Sequence, residues 1–479
     1  MLPDVLMLHT IRQGKSMRTM KRYKLTLLGL AFVPWVATAQ LLPITQLPDT
    51  IVDHLDRSVN RNAERLQELK QQRLIEQQLQ KTLTIKAQLL DPLVQLPSVL
   101  PILDTRKQLV WNEVEVELGQ RAVEREWLIL LSEPQWQQVL AVEPALNEYV
   151  QHRKSLDSIG LQLIKLRVPE SLNNTAQLRQ QLPELLAPYL SRNFIYQPQT
   201  SSVAEQNTVK DVKADTPLAM CDVPIVLGMV DTAINPNHPA WSGKNKDFAL
   251  IQQDFLPATM PTSYSHGTAV AGVLAGKSEV LSPLLPSLTL YSAEAFYAQN
   301  EYQQGATLES ILQALNWLVE QKNRVVNMSL TGPNNPVLAE VVSRLVAKDV
   351  ILVAAAGNGG PAAAPLYPAA YDGVIAVTAV DDSNRLYRWA NQGEYIDFAA
   401  NGVKVLTARA DGSIGRESGT SMAAPVVSAK VACLLASSPT LTLAQVVQQL
   451  QQQAQDLGEP GKDYQYGYGL LSRPLKAGL

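Results

Sequence analysis

Apolar runs of strand length alternate with longer helical stretches through the second half of the chain. Continuous apolar runs at 224–230, 287–293, 325–329, 350–356 and 373–379 predict β-strands. Small-residue or amphipathic stretches at 266–276, 306–321, 336–348, 421–436 and 442–453 predict helices. Strands that are apolar throughout are those buried on both faces, so this alternation predicts an α/β unit: a mostly parallel sheet with helices on both sides. In such sheets ligands bind beyond the C-terminal ends of the strands. That directs attention to the residues that close the runs, Asp231 and Asn358.

The first half of the chain patterns differently. Residues 127–131 and 161–168 read as strands, 134–149 and 176–190 as helices, and 194–196 as a last short strand. That order predicts, over 111–199, a small α+β unit with an antiparallel sheet backed by two helices. Upstream, Leu55, Val59, Ala63 and Leu66, then Ile75, Leu79 and Leu83, keep a helical period with a polar opposite face. Pro92, Pro97 and Pro101 follow, so 40–110 reads as an amphipathic helix and a Pro-rich linker. The polar stretch 200–216 reads as an exposed linker.

At the N-terminus, Lys21, Arg22 and Lys24 precede an apolar run and then Ala37, Thr38 and Ala39. This is the pattern of a secretion signal over 1–39, with cleavage after Ala39 and Met17 or Met20 as alternative starts. The run is too short for a stable membrane span. A secreted or periplasmic location is expected.

Composition adds limits. The 479 residues are 46% hydrophobic, enough for several domains, and the net charge of −3 with no basic cluster argues against a nucleic-acid partner. Cys221 and Cys433 are the only cysteines. One pair is not a framework, and Cys433 lies in an apolar helix, where a buried free thiol is the expectation. Histidine and cysteine are too few for a transition-metal site.

Three segments carry chemistry. Ser421 follows Gly419 and Thr420 at the start of a small-residue helix, where unpaired N–H groups favour a developing anion. Pro425 is placed by the same pattern in the first helical turn, where its missing N–H costs nothing. Of five histidines only His266 opens a second small-residue helix, through Gly267 and Thr268. Asp231 closes the apolar run 224–230. Serine is a poor nucleophile until a base takes its proton; imidazole can do so near neutrality, and a carboxylate fixes its tautomer. The order Asp, His, Ser separates this set from other triad lineages. Asn358, beside Gly357 and Gly359, offers an amide N–H₂ for an oxyanion.

These segments resemble those of the subtilisin-like serine proteases. Val326 to Leu330 resembles the family strand that pairs with substrate backbone, and Val353 to Asn358 resembles the strand and turn bearing its oxyanion asparagine. Residues 396–402 and 466–471 resemble family segments near the domain end, so the likeness covers 217–475.

The resemblance implies a serine endopeptidase with Asp231, His266 and Ser421 catalytic and Asn358 in the oxyanion hole. Ser329, Leu330 and Gly357 would line the pocket for the residue preceding the cut. It further implies that 111–199 is a propeptide that assists folding and inhibits the enzyme until removed, with maturation cleavage in 200–216. Protein or peptide substrates, a monomer and no required cofactor are expected. Calcium often stabilises this family, yet no segment shows a ligand loop. Thr331 stands where the family often has glycine, and 359–371 is short, so no side-chain preference is assigned.

Overall fold

The structure is a computed structural model and describes residues 96–184, 189–198, 219–241, 248–300 and 303–472. The signal at 1–39, the amphipathic helix within 50–90 and the linker at 200–216 lie outside the described residues.

The N-terminal region contains β1 (Val99–Leu103), β2 (Leu109–Glu115), β3 (Arg121–Leu131), α1 (Glu133–Val142), β4 (Val150–Leu156), β5 (Leu161–Arg167), α2 (Thr175–Arg179) and β6 (Leu190–Pro198). Its strands pair antiparallel. An antiparallel sheet with two helices was expected, but the boundary at 111 and the linker before it need correction. Residues 99–115 form a β-hairpin, and Pro101 fits because β1 is the edge strand of its sheet, where a missing N–H is tolerated. Two helices are also shorter than the pattern suggested. Proline at 144 ends α1, and the chain continues to Tyr149 as a tight 3₁₀ turn. The second helix spans only Thr175–Arg179.

The second region runs β7 (Ile225–Asp231), β8 (Ala249–Asp254), α3 (Ser265–Ala275), β9 (Leu288–Glu294), β10 (Phe296–Ala298), β11 (Gln304–Thr307), α4 (Leu308–Glu320), β12 (Val325–Met328), β13 (Leu330–Thr331), α5 (Pro336–Val346), β14 (Ile351–Ala355), β15 (Val374–Val380), β16 (Phe398–Asn401), β17 (Val405–Ala408), β18 (Ile414–Glu417), α6 (Thr420–Ser437) and α7 (Leu443–Gln453). Seven strands pair in the order β16-β15-β14-β12-β7-β9-β8, all parallel. The expected α/β architecture is present. α3 and α6 cover one face of this sheet, where Leu227, Met229, Val353 and Val377 meet Val270, Leu274 and Val427. α4 and α5 cover the other, where Val326, Met328 and Leu352 meet Leu312, Leu315, Val341 and Leu345. α6 is the one helix among the described residues long and apolar enough to cross a membrane, and 78% of it is buried in this core.

The described residues fall within one compact unit, 86–479. β3 shows how the two regions join. Trp127, Ile129 and Leu131 pack with Trp136 and Leu178 of α1 and α2, whereas Leu128 and Leu130 join the core built around α4 and α5. β6 carries the joint further. Its first residues pair with β3, then Ile195 and Tyr196 pair with β11, and Gln197 and Pro198 pair with β13.

The expectation of a free thiol at Cys433 is overturned. Cys221, just before β7, is disulfide-bonded to Cys433 on α6, with 5.9 Å between the Cα atoms. The fold brings together two residues separated by 212 positions in sequence, and spacing along the chain could not reveal that.

Candidate active site

Asp231 ends β7, and β12 and β9 flank that strand on either side in the sheet order. Going outward from β7 toward β12 and toward β9, the chain winds in opposite directions, so Asp231 lies at the switch point where parallel sheets hold ligands. His266 is the second residue of α3, and its Nδ1 lies 2.7 and 2.8 Å from the two Asp231 carboxylate oxygens. Both side chains are buried. Thr232 completes the holder: its N–H donates to Asp231 Oδ1 (2.7 Å) and its Oγ1 accepts from the N–H of Gly267 (2.8 Å). Only glycine fits at 267, because a Cβ there would stand 2.3 Å from the Thr232 carbonyl.

With Nδ1–H donating to a carboxylate, the imidazole presents Nε2 as its acceptor nitrogen. Nε2 is buried and has no hydrogen-bond partner among the described residues. A buried polar atom left this way is costly unless function uses it.

Ser421 is fully buried in the first turn of α6, two residues after the N-cap Gly419. Here the expectation for Pro425 is corrected. The helix begins at Thr420, so Pro425 falls in the second turn and denies the Ser421 carbonyl its usual N–H partner. The Ser329 hydroxyl supplies one instead, donating to Ser421 O at 3.0 Å, while accepting from Asn327 Nδ2 at 2.9 Å. The orphan carbonyl made by the proline therefore ties the candidate nucleophile to the end of β12.

Asn358 stands just past β14. Its Oδ1 accepts from both the N–H (3.1 Å) and Oγ1 (3.0 Å) of Thr420, which fixes the amide with its N–H₂ turned away from Thr420. Thr420 Oγ1 also accepts from the Gly357 N–H at 3.2 Å. Of the predicted pocket residues, Gly357 thus touches the Ser421 turn through Thr420, and Ser329 touches Ser421 itself. The Leu330 side chain lies in the apolar core, and its backbone pairs with Pro198.

Four residues not singled out in the sequence belong to this environment. Thr232 and Thr420 each adjoin a singled-out residue and were legible only as neighbours. Glu417 ends β18, four residues before Ser421. Burial raises its pKa, against the lowering effect of the Arg409 charge nearby. Beside Asp231 in the sheet register stands Glu294, whose carboxyl is pushed up to about 7 by burial and by Asp254. Among the described residues no group of three or more His, Cys, Asp or Glu side chains gathers to hold a metal.

The family model of the subtilase family matches residues 224–469, which contain Asp231, His266, Asn358 and Ser421. The chain belongs to the subtilase family. Among characterised relatives it is 32% identical over 257 residues to subtilisin of Bacillus pumilus, covering 52% of this chain and 89% of that one. It is 28% identical over 332 residues to minor extracellular protease Epr of Bacillus subtilis, covering 60% of this chain. The chain spans about half the length of that relative, 51%. The crystal structure of fervidolysin from Fervidobacterium pennivorans, a keratinolytic enzyme related to subtilisin, superposes with a TM-score of 0.58 at 20% identity. The superposition covers 78% of this chain and 62% of that one, and it supports the fold.

Proposed function

We propose that the chain is a secreted or periplasmic serine endopeptidase, made as a precursor that its own N-terminal region inhibits. Ser421 attacks the scissile carbonyl and His266 Nε2 takes its proton. Asp231 holds the imidazole and stabilises its charged form, and the Asn358 amide with the Ser421 N–H receives the oxyanion. The His266 proton then passes to the leaving amine, and water repeats the cycle on the acyl-enzyme. The observation that carries this reading is the buried Asp231–His266 pair, whose outer nitrogen is left without a partner among the described residues.

The inhibited-precursor reading rests on β6. An extended peptide can bind by pairing its backbone with strand edges, and β6 pairs with β11 through Ile195 and Tyr196 and with β13 through Gln197 and Pro198. Ser329, which bonds Ser421, immediately precedes β13. Removing the N-terminal region by a cut in 200–216 would open that place to substrate.

The test compares the purified full-length chain with Ser421→Ala by intact mass and N-terminal analysis after incubation. Shortening of wild type alone, to a form beginning between residues 197 and 220, is the expected result. If both stay full length, a fluorophosphonate label decides: failure to label Ser421 in wild type overturns the reading.

A further inference from the structure

We propose that the cleft selects substrates by a tyrosine hydroxyl, through a pocket that Gly332 and the Pro333 carbonyl form and that Tyr196 of β6 fills here. The inference rests on the peptidase reading above and deepens it to a substrate class.

Register carries the first part of the argument. Tyr196 pairs with Ala306 of β11, Gln197 with Thr331 and Pro198 with Leu330. One further step along the same antiparallel register reaches Ser329, whose hydroxyl bonds the Ser421 carbonyl. A substrate strand lying as β6 does would therefore bring to Ser421 the carbonyl of its third residue beyond the tyrosine.

The pocket carries the second part. Tyr196 is fully buried, and its hydroxyl donates to Pro333 O at 3.1 Å. Its ring lies flat against residue 332, where a Cβ would stand 2.2 Å from Cδ1, so only glycine leaves room. Gly332 is itself held by a pair of backbone hydrogen bonds with Tyr367, at 2.7 and 3.1 Å. Tyr371 is near enough to act electrostatically on Tyr196, and its own hydroxyl is engaged with the backbone of Asn335. Burial, with Tyr371 adding to it, holds the Tyr196 phenol in its protonated, donating form.

Gly332, Pro333, Tyr367 and Tyr371 all belong to the region that carries Ser421. They would remain when β6 leaves. What remains is an aromatic slot with one carbonyl acceptor at its end. Phenylalanine would fill the slot and leave that acceptor without its donor, and alanine would leave both unfilled.

The experiment assays the full-length chain, after incubation under the conditions that mature it, on a peptide with the sequence of residues 193–203 and on versions carrying Tyr196→Phe or Tyr196→Ala. Products are located by mass. The expected kcat/KM order is tyrosine above phenylalanine by about three- to tenfold, the scale of one neutral hydrogen bond. Tyrosine should exceed alanine by roughly a hundredfold, the scale of burying an aromatic ring. Cutting should fall after the third residue beyond the variable position. Gly332→Ala should bring tyrosine and alanine peptides within a few-fold of each other.

Equal rates for all three peptides, or cutting in another register, would overturn the tyrosine slot and leave the peptidase reading standing. A phenylalanine peptide equal to tyrosine would overturn selection by the hydroxyl. Cleavage of none would overturn the peptidase reading and this inference with it. Because the substrate series needs only wild type, a Gly332→Ala chain that fails to fold does not remove the test.

Discussion

The two large sheets among the described residues solve the same burial problem in opposite ways. The seven-stranded parallel sheet supplies both of its own covers, α3 and α6 on one face and α4 and α5 on the other. The antiparallel N-terminal sheet supplies one cover, α1 and α2, and takes the second from the neighbouring region. The difference shows that the N-terminal region completes its burial only against the α/β region. Leu128, Leu130, Leu161 and Leu163 are core residues only while the two regions stay together. Leu128 and Leu130 also explain why β3 reads as a continuous apolar run although it belongs to an antiparallel sheet.

The comparison can be broken first at the chemistry. Asn358→Ala should lower turnover by about 10²–10³-fold with little change in KM, a magnitude known from subtilisin itself. The check is steady-state kinetics on the active chain; unchanged turnover would overturn the oxyanion role proposed for Asn358. The joint between the sheets comes next. Leu130→Ala should cost about 2–5 kcal/mol, and the loss should be local. Hydrogen exchange would then quicken in β3 and β6 while β12 and β14 keep their protection. Equal loss throughout would mean that the two sheets unfold as one.

The disulfide tests the other side of the comparison, because it staples the parallel sheet's own helix. A Cys221→Ser, Cys433→Ser double variant should lose about 2–5 kcal/mol in thermal or denaturant unfolding. The N-terminal docking should be spared.

The smallest effect sharpens the joint by pH. Glu309 of α4 meets His152 of β4 and, at 3.0 Å, Lys165 of β5. Burial would raise its carboxyl, but the His152 hydrogen bond and the Lys165 charge prevail and hold it at about 2, against an ordinary 4.5. A depressed folded pKa means stability that is complete above about 4.5 and lost as pH falls toward 2. Docking, followed by limited proteolysis, should therefore weaken between pH 4 and 2, and Glu309→Gln should flatten that dependence. The variant that keeps the full pH dependence would sink the assignment.

The parallel half was legible in the sequence nearly residue by residue. The strand expected at 224–230 is β7 at Ile225–Asp231, and the helix expected at 421–436 is α6 at Thr420–Ser437. Runs buried on both faces by their own helices leave a local signature. The candidate residues Asp231, His266, Ser421 and Asn358 were legible for a related reason, since each sits at an element end beside glycine or small residues. The hairpin of β1 and β2 was hidden because three prolines read as a linker, and an edge strand tolerates proline where an inner strand would not.

By itself the sequence determined which segments are strands and helices in the α/β region, the family, and which residue types stand ready for nucleophilic chemistry. Those properties follow from periodicity and neighbours a few positions apart. Only the tertiary structure decided that Asp231 and His266 meet, that Cys221 bonds Cys433, and that Ser329 answers the carbonyl orphaned by Pro425. It alone placed β6 between β11 and β13, with Tyr196 against Gly332. Each of these joins residues tens to hundreds of positions apart, and such pairings are fixed by packing and topology, which no local pattern records.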